Sequence, residues 1–124
     1  MSTTYQFPFE RLEVWNDARK LVAEIYKASE QFPDAERFGL TSQIRRAAVS
    51  VASNIAEGEG RLGDKDKLRY LSISWASLME VLNQLILAND LNMLPDEQLA
   101  SFRERIAKLS NKINALYNYR KKQL

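Results

Sequence analysis

Residues 64–94 read DKDKLRYLSISWASLMEVLNQLILANDLNML. Gly63 precedes this run and Pro95 follows it, with no glycine or proline inside. Proline breaks a helix interior and glycine weakens one, so the punctuation predicts a single uninterrupted helix, with Asp64 as its expected N-cap. Leu68, Leu71, Trp75, Leu78, Leu82 and Leu85 recur in alternating steps of three and four, the spacing of a bundle seam. Between Arg69 and Asp90 the sole charged residue is Glu80, which raises the question of a membrane span. Ser72, Ser74, Ser77, Asn83, Gln84 and Asn89 answer it: no apolar run of about 18 residues exists, and burial inside protein is expected instead.

The same punctuation organises the rest of the chain. Glycine and proline at 8, 33, 39, 58, 60, 63 and 95 leave helical stretches of about 10–31, 40–57, 64–94 and 96–122. In the first, Leu12, Trp15, Val22, Ile25 and Tyr26 recur at helical spacing, with Glu13, Asp17, Lys20, Glu24 and Lys27 between them. In the last, Leu99, Phe102, Ile106, Leu109, Ile113 and Leu116 repeat the three-four step, and Pro95-Asp96-Glu97 suits a first turn, where the helix dipole favours acids. Strand patterns are missing and the connections are short. The expectation is one domain over 1–124, an all-α, up-and-down antiparallel four-helix bundle.

Composition removes whole classes of function. The 124 residues include no Cys and no His, so thiol chemistry, a histidine base and soft-metal sites are excluded; no metal and no cofactor are expected. Residues 58–63 (GEGRLG) resemble a phosphate loop superficially, but they follow a helix and lack the Lys-Ser/Thr pair. They read as a turn. Glu57, Glu59, Asp64 and Asp66 around it read as solvated acids, and no catalytic residue is assigned. An enzyme built on Arg46, Glu57 and Glu80 is the least favoured reading. Met1 to Phe7 is short and polar, without a signal pattern, so a cytoplasmic protein is expected, with no membrane partner.

The second helix is apolar on two faces. Leu40, Ile44, Ala48, Val51 and Ile55 form the core stripe, while Val49, Ala52 and Ala56 lie on the other side. A third stripe, Gln43, Arg46, Ser50, Asn54 and Glu57, is polar. This pattern fits either a central helix with satisfied polar groups or a contact with another copy of the chain. The third helix offers a second side too, through Tyr70, Ile73, Val81 and Leu87. A lone Glu80 on such a helix needs a partner, because an unpaired buried charge is expensive. The expected cluster joins Glu80 to Arg46, or to Arg45 if the helix is rotated, with Ser50, Asn54 and Ser77 nearby.

Net charge is +2 but uneven. Residues 1–36 carry net −3 and residues 96–124 net +4, and no acid follows Glu104. Lys108, Lys112, Arg120, Lys121 and Lys122 occupy that last segment with Tyr117 and Tyr119. In a single chain these cations read first as a solvated helix end that complements the dipole. With aromatics among them they also suit phosphate contact and base stacking, which makes Lys108, Lys112, Tyr119, Arg120, Lys121 and Lys122 the candidate RNA- or DNA-binding residues. A homo-oligomer would repeat the basic end and enlarge its field.

The run Phe38-Gly39-Leu40-Thr41-Ser42-Gln43-Ile44-Arg45-Arg46-Ala47, followed by SVASNIAEG from Ser50 to Gly58, closely resembles the central signature of the 23S rRNA-intervening sequence proteins. Leu12-Glu13-Val14-Trp15, Ala18, Ile25-Tyr26 and Phe32-Pro33 resemble that family's first helix, and Ser77 to Leu85 its third-helix element. The likeness covers about residues 9–95; the fourth helix matches in pattern alone. Ala76 departs from a frequent family glycine. The resemblance implies a ring-like homopentamer of four-helix bundles, cytoplasmic and without known catalytic activity. It also implies kinship with the accessory variability determinant of diversity-generating retroelements, which binds nucleic acid through a basic surface and partners a reverse transcriptase. Gln43, Arg46, Ser50, Asn54, Glu57, Ser77 and Glu80 are the signature residues carried over, assigned to structure and assembly.

Overall fold

Four α-helices follow one another in the computed structural model, which describes residues 4–124: α1 (Glu13–Ser29), α2 (Leu40–Glu59), α3 (Asp64–Asp90) and α4 (Asp96–Lys121). Short 3-10 turns at Pro8–Arg11 and Asp34–Glu36 precede α1 and α2, and no strand occurs among the described residues. Chain direction alternates. Lys112 near the end of α4 pairs with Glu13 and Asp17 at the start of α1, and Arg120 pairs with Glu59 at the end of α2. Thus α4 runs antiparallel to α1 and parallel to α2, an all-α up-and-down bundle. The α2–α3 seam is the most extensive and α1–α4 the loosest.

The core draws on every helix: Leu21 and Ile25 from α1, Ile44, Val51 and Ile55 from α2, Leu78, Val81 and Leu85 from α3, and Ile106, Leu109 and Ile113 from α4. Each such side chain contributes about 1.5–3 kcal/mol on burial. The buried stripe of α3 is rotated from the expected one. It runs through Leu71, Ser74, Leu78, Val81, Leu85 and Ala88, whereas Trp75 and Leu82 lie at its edge, Trp75 donating from Nε1 to Ser110 Oγ of α4 at 2.9 Å. In α1 likewise Val14, Ala18 and Leu21 are buried, and Trp15 is partly buried at the core's edge, packed edge-on to Phe9. Small residues at the helix contacts moved both stripes. α3 is long and apolar enough to cross a membrane by length and composition, but its buried stripe packs inside the bundle.

Helix ends show how local chemistry sets the bundle. α3 stops at Asp90 and not at 94, because Asn92 adopts a left-handed φ of 60° and the Met93 N–H returns to the Ala88 carbonyl at 2.8 Å. Asn89 then donates to the Leu94 carbonyl and to Asp96 Oδ1 at 2.9 and 2.6 Å, tying α3 to the start of α4. Asp64 is the first helical residue and makes no side-chain cap; Gly63 holds the cap position. α2 continues through Gly58 to Glu59. A Cβ at Gly58 would stand 2.8 Å from Tyr70 Cβ, too close for two carbons, so glycine is what lets the end of α2 approach α3. Gly58→Ala sets about 1 kcal/mol of helix propensity against an overpacking penalty of about 1–3 kcal/mol. The expected result is a net loss near 1 kcal/mol, read as a fall of several degrees in Tm; a rise would mean that Tyr70 yields.

Candidate functional site

The polar stripe of α2 meets α3 along one outer edge. Ser50 Oγ and Ser77 Oγ share a hydrogen bond of 2.8 Å, and Asn54 Nδ2 donates to the Ser50 carbonyl and Oγ at 2.8 and 2.9 Å. Beneath them buried Ser74 donates to the Val51 carbonyl at 2.8 Å, a link between the helices that apolar periodicity alone could not reveal. Interhelical hydroxyl bonds of this kind let two helices approach closely without leaving polar groups unpaired. Ser50, Asn54 and Ser77 therefore come together as a seam.

The charged members of the expected cluster do not join it. Glu80 is exposed, and its polar contact is Gln84 Nε2, which donates to Oε1 at 3.4 Å. Arg46 and Gln43 are exposed across a depression of about 270 Å³ that Glu80 also lines, and no Arg46–Glu80 ion pair forms among the described residues. Arg45 turns the other way. Its Nε donates to Ser29 Oγ at 2.8 Å, its Nη2 to the Tyr26 carbonyl at 3.2 Å, and its guanidinium lies 4.7 Å from the Tyr26 ring centre. A cation at the carbonyl end of α1 is favoured by the helix dipole, and that partner replaces Glu80. Glu57 is exposed as well. Val81, expected on the second side of α3, is fully buried in the core.

What remains on this outer face is a mixed surface. Ile73 and Leu87 are 39% and 43% exposed, on the same side of α3 as Glu80, seven residues away in either direction. Gln84 is 3% exposed, yet its Oε1 has no hydrogen-bond partner. A buried amide oxygen left unpaired is unfavourable by about 1–3 kcal/mol.

The basic candidates on α4 separate into two kinds. Arg120 Nη2 donates to both Glu59 carboxylate oxygens, at 2.5 and 2.6 Å, in a largely buried pair that fastens the ends of α4 and α2. Lys112 Nζ is 2.7 Å from Glu13 Oε1 and also bonds Asp17; hydrogen bonds to Asp17 first and Glu13 second raise its pKa above the ordinary lysine value. Both cations are occupied within the chain. Lys108, Lys121 and Lys122 are exposed and unpaired among the described residues, and Tyr119 is 59% exposed.

Two further cations join them. Between α1 and α4 runs a groove with one section of about 250 Å³ lined by Lys20, Arg105, Lys108, Lys112 and Asp17 over a floor of Leu21 and Leu109. A second section of about 200 Å³ continues past Arg105 to Lys27, Glu24 and Gln98. Lys20 belongs to a site that the basic tail alone does not suggest. The signal lies in charge periodicity: Arg105, Lys108 and Lys112 share one face of α4, and Asp17, Lys20, Glu24 and Lys27 share one face of α1.

A family model described as 23S rRNA-intervening sequence protein matches residues 10–115, reaching well into α4 and beyond the 9–95 where the quoted motifs lie. Among solved structures, the chain resembles a protein of unknown function from the S23 ribosomal protein family of Bacteroides thetaiotaomicron, with a TM-score of 0.78 and 19% identity over 85% of this chain and 95% of the other. At that identity the likeness speaks to the fold. No curated protein matches the chain.

Proposed function

The chain belongs to the family of 23S rRNA-intervening sequence proteins, and from that membership and the surface of α4 we propose a non-enzymatic homo-oligomer that holds RNA or DNA by its phosphates, without reading base sequence. One observation carries the reading: from Arg105 to the end of the chain there is no acidic side chain, and Lys108, Lys121 and Lys122 stand in solvent without an ion-pair partner among the described residues. Each phosphate neutralised by such a cation releases a condensed counterion, so affinity arises without any base contact. Tyr119, beside these lysines, adds a face on which a base can stack.

Assembly is the second part of the proposal. Half-exposed Ile73 and Leu87, and Arg46 facing Glu80 across an open depression, support the outer α2–α3 face as the contact with another copy. The number five is what the family likeness implies. A ring would repeat each basic end and raise the local potential seen by a polyanion.

The test is binding of labelled oligonucleotides of several sequences between 50 and 200 mM salt. The expected result is steep salt dependence and similar affinity for all sequences. Lys121→Gln with Lys122→Gln weakens binding uniformly and reduces the salt slope by about 0.9 per lost duplex contact. No binding at 50 mM salt would refute the reading. A second reading, a scaffold that docks a partner protein, draws on Phe38, 89% exposed, and on fully exposed Leu62, apolar side chains at opposite ends of α2. A defined protein retained after nuclease treatment would favour it.

A further inference from the structure

We infer that the α1–α4 groove is a track for one strand of nucleic acid, held by its phosphates at Lys20, Arg105 and Lys108 and ending at Tyr119. The inference rests on the nucleic-acid reading above and adds the form of the ligand and the residues that grip it.

Three observations converge. The two sections of the groove adjoin at Arg105 and together extend from Gln98 to Lys112, a rise of about 21 Å along α4 at 1.5 Å per residue. The cations facing it come from both walls, Lys20 on α1 and Arg105 and Lys108 on α4, and none of the three is in an ion pair among the described residues. Asp17, the acid of the first section, is already bound to Lys112, and across both sections the cations Lys20, Lys27, Arg105, Lys108 and Lys112 outnumber the acids Asp17 and Glu24. Finally, Leu21 and Leu109 close the floor and are themselves nearly fully buried, so the channel is shallow and dry beneath.

Width decides between one strand and two. Packed helix axes stand about 8–10 Å apart, less than the diameter of a helix with its side chains, so the groove is a narrow surface crease that a stiff duplex cannot follow. It could touch only the rim. A single strand can lie along the channel with phosphates toward the cations and bases outward, the arrangement that basic grooves impose on single strands. Tyr119 lies seven residues beyond Lys112, two turns on along the same face of α4, where an outward base would meet its ring. Contacts from Lys20, Arg105 and Lys108 to phosphates carry no base information, so selectivity among sequences is not expected.

The test is fluorescence anisotropy of the full chain with labelled 20-nucleotide oligo-U, oligo-dT and a 20-base-pair duplex at several salt concentrations. Lys20→Gln with Arg105→Gln alters the groove and leaves the exposed end of α4 intact. For this variant the expected result is roughly tenfold weaker binding of both single strands and a salt slope smaller by about 1.4, two contacts at about 0.7 each, with a duplex affinity changed less than about threefold. Tyr119→Ala should weaken the single strands and not the duplex. Equal affinity for oligo-U and oligo-dT within about threefold supports phosphate tracking; a preference beyond about tenfold for one sugar would overturn it. If the Lys20/Arg105 variant binds single strands like the wild type while Lys121→Gln with Lys122→Gln abolishes binding, the groove inference fails and the nucleic-acid reading stands. If the wild type binds no oligonucleotide at 50 mM salt, both fall.

Discussion

Leu78→Ala lowers the stability of the fold by about 3–5 kcal/mol. Leu78 is fully buried near the middle of α3, the helix that packs against both α2 and α4, so its side chain sits where three helices meet. Removing its three outer carbons forfeits about 0.8 kcal/mol for each in transfer free energy, and the space left behind adds the rest because long, well-anchored helices cannot collapse into it. For a chain of this size the loss corresponds to more than about 10 °C in Tm. The measurement is urea denaturation at fixed protein concentration, with the midpoint falling and the slope unchanged. Leu87→Ala on the same helix provides the contrast: its side chain is 43% exposed, and within a single chain its loss should cost less than about 1 kcal/mol. Equal effects at the two positions would mean that the buried stripe of α3 is not the one seen.

That stripe marks the limit of what the residues alone could tell. Glycine and proline delimit the helices because their backbone chemistry acts locally, and Gly63 and Pro95 do stand at the two ends of α3 and its turn into α4. Helix rotation is not local. Large apolar residues at 68, 75 and 82 suggest a seam centred on Leu71, Trp75, Leu78 and Leu82, whereas Ser74, Val81 and Ala88 occupy the closest contacts because small side chains let α2 and α4 approach. The polar cluster divides in the same way into a legible half and an illegible one. Ser50, Asn54 and Ser77 sit at helix-contact positions and find one another, while the longer arms of Arg45 and Glu80 can reach several neighbours. Arg45 takes the carbonyl end of α1, which no pairing of opposite charges would suggest. On α4 the count of basic residues was plain, but Glu59 on another helix removes Arg120 from the free set, and Lys20 on α1 enters the groove; both facts depend on which helices become neighbours.

Ile73→Glu combined with Leu87→Glu reduces the solution mass to that of one 14.3 kDa chain and leaves the helical content unchanged. The two side chains flank Glu80 on the outer face of α3, and each is exposed enough that a carboxylate there remains hydrated in a single chain. Glutamate is also a better helix former than isoleucine and equal to leucine, so the fold has no local reason to weaken. Buried against another copy, the same carboxylates would lie unpaired beside a third at Glu80, and burial of unpaired charge is expensive enough to outweigh the contact. Light scattering after gel filtration reads the outcome. A wild-type mass several times that of one chain, collapsing in the variant, identifies the α2–α3 face as the contact; an unchanged multiple places the contact elsewhere, and a wild-type monomer removes assembly from the proposal. The variant also couples the two halves of the proposed function. One chain carries a formal charge of only +2, so attraction to a polyanion at distance is weak, and a ring gains its field from repetition. Dissociation should therefore weaken nucleic-acid binding although no cation on α4 or in the α1–α4 groove has been touched. That loss should be greatest at low salt, where fields from neighbouring chains reach furthest.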